Sequence, residues 1–241
     1  GLTSTVSDNN ADRKIDVAAP KMFAFDGLFT DEDSQSDVST SALTDTIHSV
    51  VNGTDGCLFC FLHNNLGKTY TMIGSDESSK TVGVIPSAIA WLYRCIKEKK
   101  DKLGTKFSIR VSAVEIGGAK EDLRDLLQCH ENDSDQDLPG APPPSAFIPH
   151  KAGMKIGNSL SMSHGSLLQN LTELRSPSAG KAGYFLDSAL TARSTNMAAD
   201  VSGRDSHFIF TLHVYQYAED KTSTNTNPNS SRKSSVGIWD C

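Results

Sequence analysis

The stretch from Gly56 to Met72 most constrains what this chain can fold into. Gly56-Cys57-Leu58-Phe59-Cys60-Phe61-Leu62 is a short apolar run after turn residues and reads as a buried strand. His63-Asn64-Asn65-Leu66 follows as a loop, and Gly67-Lys68-Thr69 opens Tyr70-Thr71-Met72. A strand, a tight loop and Gly-Lys-Thr at a helix start form a phosphate-binding loop. There the backbone N–H groups face an anion and the helix dipole adds to the attraction. In that reading Leu62, His63, Asn64, Asn65, Leu66, Gly67, Lys68, Thr69 and Tyr70 line a nucleotide site. Lys68 reaches the β- and γ-phosphates, and the Thr69 hydroxyl ligates Mg²⁺.

The motif has a gap. Its first glycine, which lets the loop turn tightly, is replaced by Leu62. Leu must keep φ negative or accept strain, whereas Asn64 and Asn65 tolerate the left-handed region better than most residues. A distorted cradle is therefore expected. On these residues alone, a plain strand–turn–helix carrying Gly-Lys-Thr by coincidence remains equally compatible.

The 241 residues, 37% of them hydrophobic and 22% charged, suit one globular domain with a real core. A net charge of −6 disfavours nucleic acid as a partner, because phosphate binding wants a basic face. No apolar run is long enough for a membrane span. The first residue is Gly1, no leader-like segment opens the chain, and a fragment is expected. Five cysteines without a dense pattern suit a reducing compartment. Cys57 and Cys60, three apart on a strand, point to opposite faces and read as buried core thiols rather than a metal or redox pair.

Elsewhere, Lys21 to Phe29 alternates as a strand, and helical spacing of Leu43, Ile47, Val50 and Val51 predicts a helix over 37–51. Ser87 to Lys100 carries an apolar stripe of Ile89, Leu92, Tyr93 and Ile96, with Lys97, Lys99, Lys100 and Lys102 as a solvated helix end. Strands are predicted over 107–116 and 211–216, and a helix over 179–192. Residues 129–166 and 218–235 are polar, the first with a proline-rich part, and read as flexible loops or insertions. His207 and His213 read as satisfied structural histidines.

Several stretches, in order, resemble the kinesin motor domain. Met22-Phe23-Ala24-Phe25-Asp26-Gly27-Leu28-Phe29 is similar to its "FDxVF" strand, and Gly67 to Met72 to its P-loop. Val111 to Leu127 resembles the strand and helix "VSxxEIYNExxxDLL", with Gly117-Gly118-Ala119-Lys120 changing the turn. Gln169 to Leu174 resembles "V-x-G-L-T-E", and Arg193-Ser194-Thr195-Asn196-Met197 resembles "ASTNMN". Ser202-Gly203-Arg204-Asp205-Ser206-His207-Phe208-Ile209-Phe210 resembles switch I, "SSRSHSIF", with one extra residue. The wording of several of these stretches is similar to the divergent kinesin-11 class in particular.

The resemblance implies an α/β fold of P-loop NTPase type: a central mixed β-sheet flanked by helices, in one partial motor domain over residues 1–241, truncated at both ends. It implies ATP and Mg²⁺ as cofactors, with Ser202, Arg204 and Ser206 as the switch I residues that sense the γ-phosphate and metal. A one-residue insertion moves a hydroxyl by about 3 Å, enough to lose a metal contact. The implied partner is the microtubule (tubulin), with signalling proteins binding outside this chain, in the cytoplasm and cytoskeleton. The adenine-holding "RxRP" strand and switch II, "DLAGSE", are expected to lie beyond the two ends, leaving unpaired sheet edges. The functional reading is an atypical kinesin-like protein with a degenerate ATP site and weak or absent ATPase, acting in signalling and polarity. The alternative is an active ATP-dependent motor. An unrelated small-molecule P-loop kinase finds no support between residues 107 and 216.

Overall fold

The computed structural model of the chain describes residues 22–63, 66–75, 78, 80–117, 122–130, 171–197, 206–217 and 231–240. Helix α1 (Gln35–Val51) starts two residues before the expected position because Ser34 caps it. The Ser34 hydroxyl accepts from the Asp37 N–H, and the Asp37 carboxylate accepts from the Ser34 N–H, which satisfies donors that a helix start leaves open. Its apolar face is the one the spacing gave: Leu43, Ile47, Val50 and Val51 are buried. Strand β1 (Gly56–Cys60) follows, then the short helix α2 (Lys68–Met72) and the long α3 (Val84–Leu103). Helix α3 begins ahead of the expected Ser87 because Pro86 sits in its first turn, where no N–H is needed. Gly104, in the left-handed region, ends it.

Strands β2 (Lys106–Gly117), β3 (Asp122–Asp125), β4 (Leu174–Arg175), β5 (His207–Tyr217) and β6 (Ser231–Asp240) complete a six-stranded sheet, with helix α4 (Ala179–Met197) between β4 and β5. The order is β1-β6-β5-β2-β3, and β4 also pairs with β2. β1 and β6 run parallel, whereas β6–β5, β5–β2, β2–β3 and β2–β4 are antiparallel. Alternate residues of the long strands, Val111 and Ala113, Phe208, Phe210 and Leu212, Val236 and Ile238, pack with the apolar faces of α1, α3 and α4 in one core. The helices of the described residues thus cover one face of the sheet.

Four local expectations are corrected. The stretch 121–127, expected to be helical, contributes β3, because β2 runs on to Gly117 and the chain doubles back along it. Arg124 then sits across from Glu115, with Nη2 3.1 Å from the carboxylate, an opposite-charge pair that favours the antiparallel ladder. Residues 22–29 form no strand: no described strand runs beside them, and Met22, Phe23, Phe25 and Leu28 are exposed. Residues 231–235, taken for part of a flexible insertion, belong to β6; their polar side chains find partners, Ser234 on the Val50 carbonyl and Lys233 on Glu173. Cys57 is exposed and Cys60 half-buried, because the face of β1 that carries Cys57 lies outside the core. The remainder of the two proposed insertions, 131–166 and 218–230, and Lys21 lie outside the described residues; Cys129 and His130 are in a short helical turn.

Candidate functional site

β1 and β6 are parallel neighbours, and their register sets Cys60 opposite Asp240. Both strands therefore end at one edge of the sheet, the place where parallel α/β sheets bind ligands. The chain leaves β1 through Phe61, Leu62 and His63 and returns at Leu66 and Gly67 into α2. Gly67 has φ +95° and N-caps that helix, a backbone conformation that costs glycine nothing. A Cβ there would meet no atom within 4 Å, so conformation rather than space selects glycine. The Lys68 ammonium donates to the Leu62 carbonyl, which folds the lysine across its own loop. Helix α2 has only five residues, so Lys68 and the loop N–H groups, more than a macrodipole, would face an anion. The Tyr70 ring is half exposed, and its carbonyl accepts from Gln35 Nε2, which ties α2 to the start of α1.

The end of β6 supplies a residue that sequence reasoning missed. Asp240 is buried, and its Oδ2 accepts from the Thr69 hydroxyl at 3.5 Å. A hydroxyl of Gly-Lys-Thr beside a carboxylate at the end of the adjacent parallel strand is the donor pair that holds Mg²⁺ in P-loop NTPases. Both are hard oxygen ligands, so the residues fit that ion. Sequence reasoning assigns no role to Asp240, at the end of the chain's last apolar segment. The signal was present in Val236 to Asp240, an apolar segment ending in Asp, but the polar residues before it obscured it.

Around Asp240 lies a compact ion-pair network. Arg193 of α4 sits with Nη1 3.4 Å from Asp240 Oδ2, and its Nη2 donates to the Ser206 carbonyl at 2.8 Å. The Ser206 hydroxyl donates to Glu115 Oε1 at 2.8 Å, and Arg193 Nε is 3.7 Å from the same oxygen. Arg124 pairs with the other Glu115 oxygen and donates to the Ala192 carbonyl. Two cations and two carboxylates thus balance in a site where unpaired charge would be costly. The Arg193 guanidinium also stacks on Phe208, with 5.4 Å to the ring centroid. Of the sequence-derived site residues, the structure brings Leu62, Gly67, Lys68, Thr69 and Tyr70 together and links Ser206 to them through Arg193 and Asp240. His63 and Leu66 lie exposed on the loop, and Asn64, Asn65, Ser202 and Arg204 lie outside the described residues.

A second polar cluster lies on the sheet face away from the core. Glu173 accepts from the Tyr215 hydroxyl at 2.6 Å and from Lys233 at 3.0 Å, and His213 Nε2 is 3.0 Å from the Ser112 hydroxyl. Burial pushes His213 down to about 4, against the pull of Glu173, so the imidazole is neutral. Despite burial, hydrogen bonds from Tyr215 and Lys233 and the Lys233 charge hold the Glu173 carboxyl below its usual value. His213 Nδ1 is buried and has no hydrogen-bond partner among the described residues. A bare lone pair there is cheaper than an orphaned N–H, which favours the Nε2–H tautomer. The expectation of two satisfied structural histidines is thus met only in part: His213 is buried with one ring nitrogen partnered, and His207 is exposed. Among the described residues no group of three or more His, Cys, Asp or Glu could hold a metal, and no helix is long and apolar enough to cross a membrane.

Comparison with known proteins sets this geometry in a family. The kinesin motor domain model matches residues 3–240. The chain is 47% identical over 204 residues to the kinesin-like protein KIF26A of Mus musculus, covering 84% of this chain and 10% of that protein. It is 45% identical over 205 residues to KIF26B of Homo sapiens, covering 84% and 9%, and 41% identical over 223 residues to kinesin-like protein CG14535 of Drosophila melanogaster, covering 84% and 18%. The chain thus spans a small part of the curated relatives it matches. Among solved structures, a fast kinesin aligns with a TM-score of 0.64 at 23% identity, over 90% of this chain and 53% of that one, a likeness of fold.

Proposed function

The chain belongs to the kinesin motor-domain family, and from that premise we propose that it is a microtubule-binding domain with a weakened nucleotide site. It turns ATP over slowly and serves attachment and signalling rather than haulage. The observation that carries this reading is the Thr69–Asp240 pair beside a loop that begins at Leu62 instead of glycine. Thr69 and Asp240 supply two oxygen ligands for a metal, while the loop lacks the glycine of its first turn. Lys68 would bind the β- and γ-phosphates, Thr69 and Asp240 would hold Mg²⁺, and Tyr70 would stack on the adenine. Mg²⁺, when held there, would offset phosphate charge, the main electrostatic need of phosphoryl transfer. Ser206 would orient the γ-phosphate side through its bond to Glu115. Such catalysis is almost wholly positioning, so a loosened cradle lowers turnover more than binding.

The wording of the P-loop and strand motifs resembles the divergent kinesin-11 class, and on that resemblance we read the role as one in signalling and cell polarity. Residues 1–241 are read as part of one motor domain, with Ser202 and Arg204 contributing to its switch I. The second reading, an ATP-driven motor, draws on the same Thr69–Asp240 pair and the intact Gly67-Lys68-Thr69. Pelleting the chain with microtubules, with and without ATP, separates the two. Co-sedimentation indifferent to ATP is expected. Release by ATP would favour the motor, and no pelleting in either state would overturn both.

A further inference from the structure

Thr69 and Arg193 approach the same atom. The Thr69 hydroxyl is 3.5 Å from Asp240 Oδ2, and Arg193 Nη1 is 3.4 Å from it. Both contacts are long for hydrogen bonds, so the carboxylate stands between the two partners rather than committed to either. Arg193 is anchored independently, by the Ser206 carbonyl, by Glu115 and by the Phe208 ring. Its guanidinium, 15% exposed, therefore keeps a fixed positive charge beside the buried carboxylate that faces Thr69.

Resting on the nucleotide-site reading above, we propose that Arg193 is a positioning residue that restrains Asp240 and competes with Mg²⁺ for it, setting how tightly the site holds the metal. A divalent ion at Thr69 needs the negative charge that Arg193 already neutralises, and it meets a like charge a few ångströms away. Because the same guanidinium grips the Ser206 carbonyl, metal binding at Asp240 also tugs on the backbone that leads into β5. Arg193 thereby links the metal side of the site to the γ-phosphate side through one side chain.

The test uses the full chain loaded with fluorescent ADP and follows ADP release as free Mg²⁺ is varied. In Arg193→Gln, half-maximal retention of ADP is expected at roughly tenfold lower Mg²⁺ than in the unsubstituted chain, the scale set by one nearby like charge. Arg193→Lys, which keeps a positive charge, is expected to stay close to the unsubstituted chain. A merely structural Arg193 gives the opposite result, a higher Mg²⁺ requirement in Arg193→Gln. That result, or an unchanged requirement, overturns the proposal. Should Arg193→Gln fail to fold, the unsubstituted chain still decides: adding Mg²⁺ to the ADP-bound protein should shift the Arg193 Nε–H resonance, and a stationary signal overturns the proposal. If ADP does not bind at all, the nucleotide-site reading falls and this proposal with it; if ADP binds with normal metal dependence in every variant, only the role of Arg193 falls.

Discussion

At the scale of single residues, two positions at the same sheet edge pull in different directions. Leu62 stands where the loop wants a glycine, and the Lys68 ammonium is drawn onto its carbonyl. Leu62→Gly, which restores the glycine that the loop motif carries at its first turn, is expected to tighten nucleotide binding about tenfold. A fluorescent-ADP titration checks this, and an unchanged Kd would mean that Leu62 is not the defect. Asp240→Asn is expected to weaken Mg²⁺-dependent ADP retention roughly 10- to 100-fold, with Mg²⁺-free binding little changed. The sequence made Lys68 and Thr69 legible because Gly-Lys-Thr is a contiguous motif in a recognisable context. Asp240, Arg193 and Glu115 were not legible as site residues. They lie on three different elements, and only the sheet register and the end of α4 bring them together.

At the scale of elements, the position of α2 depends on a close backbone crossing. Gly74 has φ +88° and bridges Val82, and a Cβ on it would lie 2.2 Å from the Thr81 carbonyl. The crossing joins the exit of α2 to the entry of α3, so it sets where Thr69 stands over β6. Gly74→Ala is expected to destabilise the chain by about 2–4 kcal/mol and to weaken nucleotide binding with it, read by chemical denaturation and ADP titration. Helices α1 and α3 were readable from period-3.6 spacing, and β2 and β5 from alternation. β3 was misread because the helix over 121–127 was taken from the resembling motif, while the cross-strand Glu115–Arg124 pair that favours the strand is a tertiary fact. The alternation in Met22 to Phe29 had the reverse fault: period two without a neighbouring strand does not make a strand.

At the scale of the whole molecule, the sheet carries a buried charge cluster on one face and a ligand edge at one end, so stability and binding respond to different variables. His213 titrates near 4 when folded against 6.5 when unfolded. The unfolded chain therefore binds more protons between these values, and stability is full above pH 6.5 and lost as pH falls toward 4. The loss is about 2 kcal/mol between pH 6.5 and 5, read as a falling Tm. Glu173, whose folded value lies below 4.5, adds its own loss only below that pH. His213→Gln should flatten the profile between pH 6.5 and 5; a profile that keeps its slope would place the titrating group elsewhere. The nucleotide site is tested most directly by ADP binding to the full chain with and without Mg²⁺, in the unsubstituted protein and in Asp240→Asn. Binding that strengthens with Mg²⁺, and loses that dependence in the variant, is the expected result. ADP binding that ignores Mg²⁺ in both proteins, or no ADP binding at all, would contradict it.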